Sequence, residues 1–204
     1  MVKFMQWISP KNDGFVDILK QQSAHAVGCA KELKILVETY SETGNEEKKT
    51  KIKSFKKNNE ISKEIFAQCL SALVKKHDNN LIEISLASRD FALMITKSSF
   101  SFSVYGITRT DDYITKLVNI IYDLAVEIDK CFQNLKTCKD GCEKILQFTN
   151  EAEELYNEAV SELFHFFKNS LDVMKYKEIY SILGSISNKG AEIAYLIQSS
   201  NLMI

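Results

Sequence analysis

Apolar residues return every three or four positions along most of this chain. Phe15, Ile18, Gln22, Ala26, Cys29, Leu33, Leu36 and Tyr40 make one such seam, the signature of a helix with one buried face. Asn12 and Asp13 can cap its free N–H groups, and Gly44 marks its end. The pattern predicts a second helix from about Glu46 to His77, burying Ile52, Phe55, Ser62, Phe66, Cys69 and Leu73. A third opens after Asp78 or Asn79 and carries Leu81, Ile84, Phe91, Met94 and Ile95. The serine- and phenylalanine-rich stretch from Ser98 to Ser103 leaves the end of this helix undefined.

The second half follows the same scheme. Val104 to Thr110, with Gly106 inside it, reads as a connector. A fourth helix follows with Tyr113, Leu117, Ile120, Leu124, Ile128, Cys131 and Leu135 on its seam. Asp140 and Glu143 have capping-box spacing at the start of a fifth, whose seam is Ile145, Phe148, Ala152, Leu155, Ala159, Leu163 and Phe166. A sixth, from about Ser170, buries Ile179, Ile182, Leu183, Ile186, Ile193 and Leu196.

The halves also share residues at a fixed offset. Ile52, Phe55, Glu60 and Leu70 recur as Ile145, Phe148, Glu153 and Leu163. The expectation is an all-α, antiparallel six-helix bundle in one domain spanning 1–204, made of two three-helix units at about 13–103 and 109–204. A single proline, Pro10, and only seven glycines suit long uninterrupted helices. Gly14, Gly44, Gly106 and Gly141 read as helix punctuation, whereas Gly184 and Gly190 fall inside the sixth helix, where they permit close helix approach.

Charge narrows the function classes. A net charge of -1 over 204 residues offers no global attraction for nucleic acid. Arg89 and Arg109 are the only arginines, which removes the side chain best suited to bidentate base and phosphate recognition. No secretory signal is evident in Met1 to Trp7, and no run of about 20 apolar residues occurs. Five cysteines, odd in number and lying mostly on helical faces, suit reduced thiols. A cytoplasmic protein is expected.

Catalytic constellations are sparse. No nucleophile elbow, phosphate-binding glycine loop or dinucleotide fingerprint occurs. Glu162-x-x-His165 has di-iron spacing but lacks a second copy. Cys138-x-x-x-Cys142, with Cys131 upstream, suggests a soft-metal site. It lacks an evident fourth ligand and crosses an expected turn at Lys139-Asp140-Gly141. Free thiols, with Cys138 exposed and the more reactive, are the expectation.

The strings Phe15-Val-Asp-Ile-Leu-Lys-Gln-Gln-Ser-Ala, Val104-Tyr-Gly-Ile and Asn150-Glu-Ala-Glu-Glu-Leu-Tyr stand at the opening helix, the connector and the fifth helix. They resemble the PhoU-like regulators of phosphate transport, in the branch associated with Pit-type transporters. The resemblance spans essentially the whole chain. It implies metal-binding Glu-x-x-x-Asp pairs on the second, third, fifth and sixth helices, suited to iron, zinc or magnesium. Here those pairs fall on Lys56 and Glu60, on Thr149 and Glu153, and on Gly184 and Asn188, with Asp90 near the place on the third helix. Glu60 and Glu153 are thus the remnants of a metal site, and Lys56 works against a cation.

Lys48, Lys49, Lys51, Lys53, Lys56 and Lys57 cluster at the start of the second helix. Such a face suits anionic headgroups or acidic loops of a membrane partner. The resemblance implies a non-enzymatic accessory of a membrane phosphate transporter, peripheral at the inner face of the membrane, and often dimeric. The alternatives are a helical metal-binding protein with a multinuclear iron or zinc site or a di-iron enzyme's centre, and a generic helical scaffold.

Overall fold

The computed structural model describes residues 13–40, 57, 58, 60–68, 71, 79–134, 138–166 and 169–200. Six helical segments appear among them, with no strand: α1 (Asp13–Glu38), α2 (residues 60–68), α3 (Asn79–Val104), α4 (Asp112–Gln133), α5 (Cys138–Phe166) and α6 (Ser170–Ser199). The all-helical bundle is therefore as the hydrophobic spacing requires. Most of the expected second helix lies outside the described residues, as do Gly44 and the carboxyl-terminal part of the expected α1. No described helix is long and apolar enough to cross a membrane.

α1 packs on α3 and α4, α5 on α4 and α6, and α6 also on α3 and α4. Named contacts give the directions. Ser23 on α1 donates to Asp129 on α4, while Thr110, just before α4, donates to the Val37 carbonyl. These two helices are antiparallel. Ser85 meets Gln22 and Thr96 meets Cys29, so α1 and α3 run parallel. α4 lies at the centre of the core, with Leu117, Ile121, Leu124 and Ala125 wholly inaccessible. Burying each large aliphatic side chain of this kind stabilises the fold by about 1.5–3 kcal/mol.

The helix ends show local chemistry at work. α3 does not stop at the Ser98–Ser103 stretch but continues through it to Val104. The Ser98 and Ser99 hydroxyls donate back to the Ile95 and Thr96 carbonyls, so serine is accommodated inside the helix. Gly106 then takes φ +60, and the Ile107 N–H reaches the Phe102 carbonyl at 2.9 Å while the Gly106 N–H reaches Ser103 at 3.1 Å. This is a Schellman stop, and buried Phe102 and Ile107 supply its usual apolar contact. Asp111 caps α4 by accepting from the Ile114 N–H at 2.8 Å. Asn169 caps α6 in the same manner.

Two glycine readings part company. Gly190 brings α6 close to α4: a Cβ there would lie 3.3 Å from Leu124 Cδ2. Gly141 is not punctuation at all. It sits inside α5, which begins at Cys138, ahead of the expected Asp140 cap, and its missing side chain makes room for Cys131 Sγ. A methyl group at 141 would overlap that sulfur.

Candidate functional site: a shallow groove and a buried thiol cluster

Glu60 is exposed on α2 and pairs with Lys63 at 2.9 Å, an ordinary helix-surface ion pair. Glu153 is exposed on α5. It lines a groove of about 230 Å³ together with Tyr156, Asn157, Ser181, Gly184 and Asn188. The structure thus gathers three positions that the resemblance assigns to metal pairs on two helices. None of the other groove residues is acidic. Thr149 is buried one turn before Glu153, its hydroxyl 3.0 Å from the Ile145 carbonyl and 3.2 Å from that of Ser187 on α6. Where the resemblance implies a carboxylate, a neutral hydroxyl ties two helices together.

Asp90 accepts from the neighbouring Arg89 at 2.6 Å, and that guanidinium lies 4.1 Å from the centre of the Phe66 ring. Lys57 is exposed, whereas Lys48, Lys49, Lys51, Lys53 and Lys56 lie outside the described residues. His165 is exposed near the end of α5. Glu162 instead lines a second cavity, of about 530 Å³, at the start of α4. Arg109, Asp111, Lys116, Tyr176 and Tyr180 also face this cavity. Tyr180 donates to Asp111 Oδ2 at 2.6 Å, which ties the α4 cap to α6. Burial first, then the Asp111 carboxylate, pushes the Tyr180 phenol well above its ordinary range.

The densest chemistry lies at the other end of the α4–α5 hairpin. Cys131 in the last turn of α4 meets Cys138 and Cys142 in the opening turns of α5. All three are buried, and their sulfurs lie within 4.8 Å of one another. Among the described residues this is the one group of three or more His, Cys, Asp or Glu side chains whose ligand atoms converge. The expected exposure of Cys138 is wrong, because residues 138–142 are helix rather than turn. Helical spacing of four then turns Cys138 and Cys142 to one inward face. Their sulfurs stand 3.8 Å apart, and Cys131 Sγ lies 3.8 Å from the Cys138 carbonyl.

The sulfurs divide their protons unequally. Cys142 accepts from the Cys131 and Cys138 thiols, and this holds it down to about 4 against the opposing effect of burial. Cys131, beside the Cys138 and Cys142 sulfurs and buried besides, is pushed far up. Cys138 gains from the Cys131 thiol but loses more by donating to Cys142 and by burial, and ends at about 12. Among the three, Cys142 is the sulfur favoured to give up its proton first. Glu127, one helical turn before Cys131, completes the surroundings. It is buried, and its oxygens meet Lys130 at 2.9 Å and Lys144 at 3.8 Å.

A separate thiol, Cys29, sits between α1 and α3 with Thr96 Oγ1 at 3.6 Å. His25 Nε2 lies 3.6 Å from it, 3.0 Å from the Asn58 carbonyl and 2.8 Å from Ser62 Oγ. The carbonyl partner makes Nε2 the protonated nitrogen. Sequence reasoning passed over this junction and over Glu127. For Glu127 the available signal was its place four residues before Cys131, on the same helical face.

In comparisons with known proteins, no family model and no curated protein matches this chain.

Proposed function

We propose that this chain is a PhoU-like, non-enzymatic accessory of inorganic phosphate transport that works by contact with a membrane transporter. The observation that carries the reading is the groove on α5 and α6. Glu153, Gly184 and Asn188, which the resemblance aligns with metal-binding pairs on separate helices, line one concavity. That is where residues of such a pair on facing helices have to meet. The two-unit repeat belongs to the same reading. α1 runs parallel to α3, and Tyr180–Asp111 together with Gly190–Leu124 set α6 parallel to α4.

With one carboxylate in the groove, Glu153 lacks the ligand count that a multinuclear iron, zinc or magnesium centre needs. The protein therefore acts through surfaces. The working surface is the lysine face from Lys48 to Lys57, placed against anionic headgroups or acidic loops on the cytoplasmic side of the membrane. The test is a pull-down from detergent-solubilised membranes of the source cells with the tagged chain as bait. The reading expects a phosphate transporter to be recovered. Recovery should fall when the six lysines are changed to glutamine and when salt is raised. Transporter-free recovery with the wild-type bait would contradict it.

A further inference from the structure

We propose that Cys131, Cys138 and Cys142, with Glu127 as fourth ligand, form a binding site for a thiophilic cation, zinc(II) foremost. This centre is independent of the carboxylate pairs discussed above, and of the transport reading. Its first support is spacing. Zinc binds thiolates at about 2.3 Å in a tetrahedron, which sets sulfurs about 3.8 Å apart. Cys138 and Cys142 already stand at 3.8 Å, and all three sulfurs lie within 4.8 Å of one another. The separation is far from the roughly 2.05 Å of a disulfide, so the pair matches a shared cation rather than a bond between its members.

The second support is the construction of the place. Cys131 comes from α4 and the other two sulfurs from α5, so the site exists only because the hairpin closes. Gly141 lies inside a helix, where glycine is unfavourable by about 1 kcal/mol relative to alanine. Any side chain there would take the space of Cys131 Sγ. Glu127 Oε1 lies 3.5 Å from where a Cβ of residue 141 would stand; its carboxylate is paired with Lys130 and Lys144 and stands outside the group of ligand atoms within 4.8 Å, so a side-chain shift brings it onto the cation. A carboxylate is a proper fourth ligand beside thiolates on zinc.

Charge is balanced as well. A dication held by three thiolates and a carboxylate leaves two negative charges, and Lys130 and Lys144 already flank Glu127. The thiol protons still present leave to solvent as the sulfur–metal bonds form. Magnesium, which demands oxygen ligands, is excluded from such a set.

The experiment uses the full chain, reduced and stripped of metal with a chelator, and titrates it with cobalt(II) as a spectroscopic stand-in for zinc. Thiolate-to-cobalt charge-transfer bands should rise to saturation at one cobalt per chain and disappear when zinc is added. Magnesium should leave the spectrum unchanged. Cys138→Ser and Cys142→Ser should each weaken binding by at least a hundredfold, and Glu127→Gln by about tenfold, since even outer partners of a metal cost about 10–100-fold when removed. Cys29→Ser should leave the bands intact. Absence of the bands in the reduced wild-type protein would overturn the proposal, as would bands of full strength in the Cys138→Ser, Cys142→Ser double variant. Should circular dichroism show that the serine variants lose their helices, the wild-type and Glu127→Gln titrations decide the matter.

Discussion

Two buried cysteine environments in this molecule differ in the company each sulfur keeps. Cys29, between α1 and α3, has the Thr96 hydroxyl and His25 Nε2 beside it rather than further thiols, and burial pushes its thiol up to about 11. Cys142, as inaccessible as Cys29, is held down to about 4 because the Cys131 and Cys138 thiols donate to it. Burial by itself makes a cysteine a small inert hydrophobe. Burial beside other thiols, which can donate to it, favours the thiolate that a cation binds. Among the described residues, only the α4–α5 corner has thiols convergent enough to act as ligands.

The sharpest way to break this contrast is thermal or denaturant unfolding with and without zinc. A cation at a hundredfold excess over its Kd stabilises the folded state by about 2.7 kcal/mol. The wild type and Cys29→Ser should both gain that amount, and Cys142→Ser at the same zinc concentration about 0.4 kcal/mol or less. Equal gains in all three would dissolve the distinction.

Next in size is a pair of glycine substitutions. Gly141→Ala should destabilise the protein by about 1–3 kcal/mol, the usual range for overpacking a filled interior. Gly28, in α1, has nothing within 4 Å of its would-be Cβ. Gly28→Ala should therefore stabilise by about 0.4–1 kcal/mol through helix propensity and a less flexible unfolded chain. Denaturant midpoints measure both. A neutral Gly141→Ala would mean that Cys131 Sγ can move aside and that the cluster is loose.

A smaller signal is the thiolate itself. The metal-free reduced protein should show the ultraviolet absorbance of one thiolate per chain at pH 6, fading as pH falls through about 4. Cys142→Ser should lack this absorbance, while Cys29→Ser should keep it. A wild-type spectrum without thiolate until pH 9 would contradict the division of protons among the three sulfurs.

The weakest effect lies on the other side of the contrast, beside Cys29. Burial lowers His25 below its ordinary 6.5, and the Asn58 carbonyl and Glu32 only partly oppose it. The folded state therefore holds this proton less tightly than the unfolded chain does. The stability contributed by neutral His25 is present above pH 6.5 and declines as pH falls below it. The melting temperature should drop more between pH 7 and 5 in the wild type than in His25→Gln. Identical slopes would show that the α1–α2 junction does not sense protonation.

Much of the fold was legible because helix periodicity survives packing. Gln22, Ala26, Cys29, Leu33, Leu36 and Tyr40 are all buried along the seam that their spacing defines. The start of α6 at about Ser170 was legible for the same reason, while the Asn169 cap ahead of it emerged only from the structure. Ser98 to Ser103 left the end of α3 open because serine is a weak helix former in isolation. Its hydroxyls found carbonyls one turn back, and Phe102 anchored the helix in the core. Gly141 misled for a physical reason too. Lys139-Asp140-Gly141 carries the composition of a turn, and local propensity has no term for a sulfur arriving from another helix. The spacing of Cys138 and Cys142 was visible in the sequence. Their meeting with Cys131 depends on how α4 and α5 close, which no spacing along one helix reveals. The groove around Glu153 was legible only through alignment to a resemblance, since its residues come from two helices.

The most direct test of the central claim is X-ray absorption at the zinc edge on the reduced, zinc-loaded full chain. The structure predicts three sulfur neighbours at about 2.3 Å and one oxygen neighbour at about 2.0–2.2 Å. A first shell of oxygen and nitrogen alone would contradict it, and would place any bound zinc away from Cys131, Cys138 and Cys142.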